Sequence, residues 1–262
     1  MCARLFGKGR NAVITGRLTM AAAAFVMNMG LSEATAQVST GIIAHQYCQK
    51  YEWDSEQLGC YLMFAVANTD PQNRVGSYTF DGVDPTWSPD GSRLAFAGHE
   101  RPGVFVLNLA DWSVANPSTI GGAPAWSPDG SKLAFAAGEL YVMGVDGSNI
   151  VQLTNNVGFR GQPAWSPDGG TIAFDCEIDA GSTDICSVNA DGTGLIRLTT
   201  LGAASSPAFS PDGLRIAFTG SDSYIAVMNT DGTGITGLNA GSQPAWSPDG
   251  TRIAFVVPFS GG

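Results

Sequence analysis

Apolar and polar positions along the chain recur as a phrase of twelve residues. It reads PTWSPDGSRLAF from Pro85, PAWSPDGSKLAF from Pro124, PAWSPDGGTIAF from Pro163, PAFSPDGLRIAF from Pro207 and PAWSPDGTRIAF from Pro244. The starting prolines lie 39, 39, 44 and 37 residues apart. A sustained period near ~40 marks a repeat architecture, in which each unit buries its faces only by stacking on its neighbours. Each phrase predicts two strands and a turn. Proline at the second position of Ser-Pro-Asp-Gly has the fixed φ of a type I turn, and glycine closes that turn. The Leu/Ile-Ala-Phe run that follows does not alternate with polar residues, so both faces of its strand are expected to be covered. A second hairpin comes after it, as LYVMGVDGSN from Leu140, DICSVNADGTG from Asp184 and YIAVMNTDGTG from Tyr224. Asp-Gly between apolar runs is a strong hairpin signal, because glycine tolerates the positive φ of such turns.

The predicted unit is therefore four antiparallel strands, A to D, with tight A–B and C–D turns. Such units at this period predict an all-β fold, a β-propeller whose blades pack face to face around a channel. A β-sandwich has no regular phrase of this kind, and a parallel β-helix has shorter coils. The ends of the chain predict ring closure. The phrase from Pro244 supplies strands A and B, while residues 61–80 read as a C–D pair without its own A and B: MFAVANTD from Met63 parallels IAVMNTDG from Ile225. Pairing residues 61–80 with residues 244–257 would satisfy edges that otherwise template aggregation. The expected ring has five blades. Six would require a further hairpin within residues 41–60, where no phrase occurs.

The phrase Pro-Ala-Trp-Ser-Pro-Asp-Gly, with Ile-Ala-Phe and a later Asn-x-Asp-Gly-Thr-Gly, resembles the TolB-type β-propeller repeat. The resemblance covers residues 61–257. It implies a periplasmic propeller that binds partner proteins of the envelope-spanning Tol–Pal system, including a peptidoglycan-associated lipoprotein. The chain departs from TolB in two expected respects: it lacks the N-terminal α/β domain, and it has five blades rather than six. Similar repeats occur in propellers attached to serine peptidases, and no peptidase domain is read here.

Composition adds location and charge. Arg4, Lys8, Arg10 and Arg17 precede an apolar run from Met20 to Leu31, and Ala34 and Ala36 form a small-x-small pair. This reads as a secretory signal over residues 1–36, cleaved after Ala36, followed by an N-terminal segment over residues 37–60 and the propeller over residues 61–262. The run is too short to span a ~30 Å hydrocarbon core as a helix, and no other segment is long and apolar enough. A periplasmic or secreted protein with no membrane span after cleavage is expected. Of 262 residues, 34 are glycine and 14% are charged, a turn-rich and weakly charged surface. Without residues 1–36 the chain keeps 9 basic and 22 acidic side chains, a net charge of −13. That balance argues against nucleic acid, whose affinity comes from Lys and Arg on phosphates. Four cysteines remain, Cys48, Cys60, Cys176 and Cys186, and an even number in an exported chain predicts two disulfides. Cys176 at the end of strand B and Cys186 within strand C of one blade sit at facing positions, where Cα atoms reach the ~4.4–6.8 Å a disulfide needs. Elimination leaves Cys48–Cys60.

Catalytic and metal chemistry is sparse. No Gly-x-Ser-x-Gly elbow occurs, and the histidines are His45 and His99 alone. Hydrolase triads and zinc sites need more than that. Asp90, Asp129, Asp168, Asp212 and Asp249 of the Pro-Asp-Gly turns are expected to bond their own backbone. Trp87, Trp126, Trp165, Phe209 and Trp246 are expected to pack blades together. The stretch from Asp175 to Asp184 alternates carboxylates as a calcium loop does. An EF-hand needs glycine sixth and glutamate twelfth, and these places hold Ala180 and Cys186, so a solvated acidic loop is expected. No cofactor, metal or catalytic residue is predicted.

The A–B and C–D turns share one end of every blade and scarcely change between copies. The B–C and D–A connections share the other end and differ in length and chemistry, and loops on a rigid scaffold are where binding resides. This loop end holds Asp81, Asp84, Glu100, Glu139, Asp175, Glu177, Asp179, Asp184 and Asp222 against Arg101 and Arg160. The expectation is a monomeric, non-catalytic scaffold that docks a protein partner through Asp81, Asp84, Glu100, Arg101, Glu139, Arg160, Glu177, Asp179 and Asp222. The alternatives are a hydrolase or lyase at the channel mouth with a divalent ion, and a small-ligand or glycan binder stacking on Trp112, Tyr224 or Phe159.

Overall fold

A computed structural model describes residues 41–50, 58–67 and 78–80 through their backbone pairing, and residues 82–99, 101–159, 161–179 and 181–257 in full. The proposed signal over residues 1–36 lies outside the described residues.

Four complete blades follow one another. Strands β4 (Val83–Trp87), β5 (Arg93–Ala97), β6 (Val104–Asn108) and β7 (Val114–Ser118) form the first, in that spatial order. Blade 2 is β8 (Gly122–Trp126), β9 (Lys132–Ala136), β10 (Leu140–Gly144) and β11 (Val151–Gln152). Blade 3 is β12 (Ala164–Trp165), β13 (Thr171–Asp179), β14 (Ser182–Asn189) and β15 (Ile196–Arg197), and blade 4 is β16 (Ser205–Phe209), β17 (Arg215–Thr219), β18 (Tyr224–Asn229) and β19 (Thr236–Ala240). All neighbours pair antiparallel, as the two turns of each repeat dictate. The A strands touch one another in sequence, β4 to β8 to β12 to β16 to β20 (Ser242–Trp246), so they are the innermost strands. The D strands are outermost; β19 is exposed along its whole length.

The core lies between blades and is supplied by the middle strands. Leu94, Ala95 and Phe96, with Leu133, Ala134 and Phe135, are at most 2% exposed. So are Ile172, Ala173 and Phe174, and Ile216, Ala217 and Phe218. This is why the run does not alternate: one face packs on the preceding blade and the other on the following one. Fully burying one such large side chain contributes roughly 1.5–3 kcal/mol.

Closure differs from expectation. The C–D pair at the start of the chain exists, as β2 (Leu58–Ala67) with β3 (Tyr78–Phe80). Its other edge, however, is taken by β1 (Gly41–Lys50), in unbroken register from Gly41 opposite Ala67 to Lys50 opposite Leu58. Strands β20 and β21 (Ile253–Val256) stand as a separate two-stranded sheet. Among the described residues no ladder joins residues 61–80 to residues 244–257, so the structure shows four complete blades, and the expected pairing of the two ends is not among its ladders. The physical reason is β1. It lies in the stretch where no phrase marked a strand, and its backbone fills the edge the repeat reserves for strand B.

Candidate functional site

At the turn end, every Ser-Pro-Asp-Gly closes on itself. The Ser88 hydroxyl donates to Asp90 (2.6 Å) and accepts the Arg93 N–H (2.9 Å), while Asp90 also accepts the Ser92 N–H (3.0 Å). The same net recurs around Asp129, Asp168, Asp212 and Asp249. These bonds to the ionised form lower each carboxyl, Asp90 and Asp129 to about 2, the serine hydroxyl being the largest cause. The positive φ of Gly130, +69°, favours glycine at the fourth position, where the turn packs beside Pro89 of the preceding copy. The indoles fasten blade to blade: Trp126 Nε1 donates to the Thr86 carbonyl (3.1 Å), Trp165 to Ala125 (3.2 Å) and Trp246 to Ala208 (3.1 Å). The Arg93 and Arg215 guanidiniums lie 4.9 and 4.8 Å above Trp126 and Trp246. Turn aspartates and phrase aromatics thus have the packing roles expected of them.

The loop end is built differently. Asp84, Ala123, Ser206 and Gln243 each have φ between 48° and 56°, and each directly precedes a proline. Each sits at a register shift of the A strand. A left-handed residue before proline is disfavoured, at about 1–3 kcal/mol where it occurs. Two of the four are held by the preceding blade. The Ser206 N–H donates to Asp175 (2.8 Å) and the Gln243 N–H to the Thr219 hydroxyl (3.0 Å). Asp175 and Thr219 both follow Ile/Ala/Phe in strand B, so one repeat position reaches across to the next blade's inner strand.

Asp175 borders a cavity of about 180 Å³ at this end, lined also by Gly158, Glu177, Thr183 and Ser205. It is 8% exposed, and burial pushes its carboxyl up to about 7 despite the Ser206 N–H. A side chain at Gly161 would displace the Asp175 carboxylate from its present position. Nearby Asp184 has the opposite fate. Burial raises it, but the Thr199 hydroxyl (2.6 Å), the Arg197 guanidinium (2.6 Å) and the N–H groups of Leu201 and Gly202 together hold it below the usual range. Thr199 in turn accepts the Ile185 N–H (3.0 Å). Blade 2 repeats the device: Thr154 donates to Glu139 (2.6 Å) and accepts the Leu140 N–H (3.0 Å).

These bonds sort the predicted residues. Glu139 is committed to its own loop through Thr154 and the Val157 N–H. Asp179 is exposed but ion-paired with Arg197 at 2.8 Å. Glu177 lines the cavity and accepts the Gly181 N–H (3.0 Å). Asp84 lies half-buried on the innermost strand, its carboxyl raised by burial. Arg101 is exposed, and Asp222 is exposed in the 3-10 turn Ser221–Ser223. Asp81, Glu100 and Arg160 lie outside the described residues. The geometry therefore joins Asp175 with Glu177, and Asp179 with Asp184 through Arg197. Arg197 is a cation the loop-end charge balance missed. Its signal was the basic residue two before Thr199 in a D strand that ends at this face. Among the described residues no three His, Cys, Asp or Glu side chains converge as a metal ion requires. The carboxylates of the acidic stretch are held by N–H groups, the Thr199 hydroxyl and Arg197, and Asp175 and Asp184 are buried where a solvated loop was expected.

The Cys176–Cys186 disulfide is present, with Cα atoms 5.7 Å apart. The two are diagonal rather than opposite, since Cys176 faces Asp184 and Cys186 faces Phe174. Cys48 stands directly opposite Cys60 in the β1–β2 register; their side chains lie outside the described ones. No helix among the described residues is long and apolar enough to cross a membrane.

Solved structures with this architecture include TolB of Acinetobacter baumannii, at 23% identity and a TM-score of 0.61, over 77% of this chain and 55% of that one. A TolB structure of Agrobacterium tumefaciens aligns at 26% identity and a TM-score of 0.60, over 68% of this chain and 71% of that one. An oligogalacturonate lyase of Vibrio parahaemolyticus shares the fold at 13% identity and a TM-score of 0.54, over 82% of this chain and 66% of that one. The chain thus spans little more than half the length of the Acinetobacter protein. No curated protein matches it. Residues 63–261 match the family model described as the TolB beta propeller domain, and on that match the protein belongs to this family.

Proposed function

We propose that the protein is an exported, non-catalytic propeller that docks a protein partner through its loop end, in the manner implied for TolB propellers of the cell envelope. One observation carries this reading: the contrast between the two ends. The turn end repeats the same self-satisfied hydrogen-bond net in every copy. The loop end offers a cavity edged by Asp175 and Glu177, with Asp222 and Arg101 exposed in the B–C connections of blades 4 and 1. The acidic balance favours a cationic partner surface, with charge speeding encounter. The protein acts as a monomer, without cofactor, and its ring is five-bladed, the β2–β3 pair completing β20–β21. Neutralising Glu177 and Asp222 together (Glu177→Gln, Asp222→Asn) weakens capture of the partner from envelope extracts, and so does rising salt. Indifference to both overturns the charge-steered docking.

A lyase or hydrolase reading has one feature in its favour: the buried Asp175 carboxyl, pushed up by burial to about 7, borders a cavity, as general acid–base groups do. Turnover of an acidic oligosaccharide that Asp175→Asn abolishes would replace the scaffold reading.

A further inference from the structure

We propose that the first four residues of β1 compete with β21 for one edge of β2, so that the fifth blade exchanges between a latched form, with β1 in place, and a closed form. This rests on the five-bladed reading above. The register carries it. In the complete blades strands B and C pair in one phase: Arg93 faces Asn108, Lys132 faces Gly144, Thr171 faces Asn189 and Arg215 faces Asn229. In the sequence, Asn68-Thr69-Asp70 stands where Asn229-Thr230-Asp231 stands. The same phase sets Arg252 opposite Asn68, and hence Ile253, Ala254, Phe255 and Val256 opposite Ala67, Val66, Ala65 and Phe64. In the structure those four positions of β2 face Gly41, Ile42, Ile43 and Ala44. Two short apolar strands, Gly-Ile-Ile-Ala and Ile-Ala-Phe-Val, thus match a single row of backbone donors and acceptors, and the other edge of β2 already belongs to β3.

Strand β21 supplies the second observation. Its counterparts in blades 1 to 4 bury the Leu/Ile-Ala-Phe run completely, whereas Ile253, Ala254, Phe255 and Val256 are all half-exposed. Among the described residues nothing pairs with its outer edge. An apolar strand left this way is a template for another strand. Placement agrees: β1 and β2 touch β4 of blade 1, while β20 touches blade 4, so the two edges belong to opposite ends of the arc. The exchange is local. Residues Gln46–Lys50 of β1 pair with Leu58–Leu62, outside the contested four, with Cys48 opposite Cys60. The first half of β1 therefore leaves while the second half stays beside β2.

Thiol trapping in the full mature chain tests this, with new disulfides located by peptide mass mapping. Val66→Cys with Ala254→Cys reports the closed form, and Val66→Cys with Ile42→Cys the latched form. Each crosslink is expected in a fraction of molecules. Ile43→Pro, whose ring fixes φ and removes a backbone N–H from β1, raises the Val66–Ala254 crosslink by roughly fivefold or more. Ile43→Gly, which weakens β1 as a strand and keeps its N–H, moves it the same way by less. A Val66–Ala254 crosslink in every molecule, with none to Ile42, overturns the competition and leaves the five-bladed ring standing. An unchanged ratio in both Ile43 variants also overturns the competition. No Val66–Ala254 crosslink even in those variants overturns the five-bladed reading together with it.

Discussion

Replacing Trp126 with phenylalanine isolates what holds one blade to the next. Trp126 is 7% exposed. Its indole donates to the Thr86 carbonyl at 3.1 Å, across the boundary between blades 1 and 2. The Arg93 guanidinium lies 4.9 Å above the ring. Trp126→Phe removes the donor, worth about 1 kcal/mol net. It weakens a cation–π contact worth roughly 0.5–1 kcal/mol, and it leaves a void that costs on the order of 1 kcal/mol. The expected loss is about 2–3 kcal/mol, or roughly 4–12 °C in Tm for a chain of this size. Trp165→Phe is the internal control. Its indole makes the same bond, to Ala125 at 3.2 Å, but its ring is less buried than that of Trp126. It should cost less. Urea unfolding of both variants under identical conditions gives the comparison. A Trp126→Phe loss below about 0.5 kcal/mol, the size of an ordinary surface change, refutes the stapling role, and so does a larger loss from Trp165→Phe.

Removing the Cys176–Cys186 bridge, which closes a separation of 10 residues, should cost about 3 kcal/mol by loop entropy, read as a fall in urea midpoint of the double serine variant. Thr199→Val strips the Ile185 N–H and the Asp184 carboxylate of a partner at a buried site, so about 2–4 kcal/mol should be lost, with hydrogen exchange quickening over residues 199–203. The pH profile of stability should peak near pH 4–5. The folded pKa of Asp175 is raised to about 7, so the native state binds the extra proton and stability falls as pH rises from about 4 to 7, by at most ~4 kcal/mol. Asp90 and Asp129 are lowered to about 2, so their contribution is present above about pH 4 and is lost as pH falls towards 2. Asp175→Asn should flatten the falling limb between pH 4 and 7 and leave the acid limb unchanged.

The fold was legible because the repeat writes it out. Pro-Asp-Gly and Asp-Gly turns fix where strands end, and the non-alternating Leu/Ile-Ala-Phe run states that strand B is covered on both faces. The Cys176–Cys186 bridge was legible from strand assignment, but its diagonal register was not, since register depends on a bulge between Cys176 and Asp179. Strand β1 was missed because GIIAHQYCQK carries neither the phrase nor a turn signal. It forms by pairing with β2, a long-range event no local pattern announces. At the site, residue type located the acidic end but could not say which acids are spent internally. Asp184 and Glu139 look alike in sequence to Glu177, and only the arrival of Arg197 from a D strand, and of Thr199 and Thr154 from just beyond the D strands, separates them. The left-handed residues before proline were likewise invisible, since Ala123, Ser206 and Gln243 are not glycine.

Photocrosslinking from the two ends tests the docking claim most directly. A photoreactive residue replaces exposed Ile178 at the loop end or exposed Leu214 at the turn end, and each protein is irradiated in envelope extract. Adducts with one protein species from position 178, fading as salt rises, and none from position 214 are the predicted result. Equal capture from position 214, or adducts from that end alone, would contradict it.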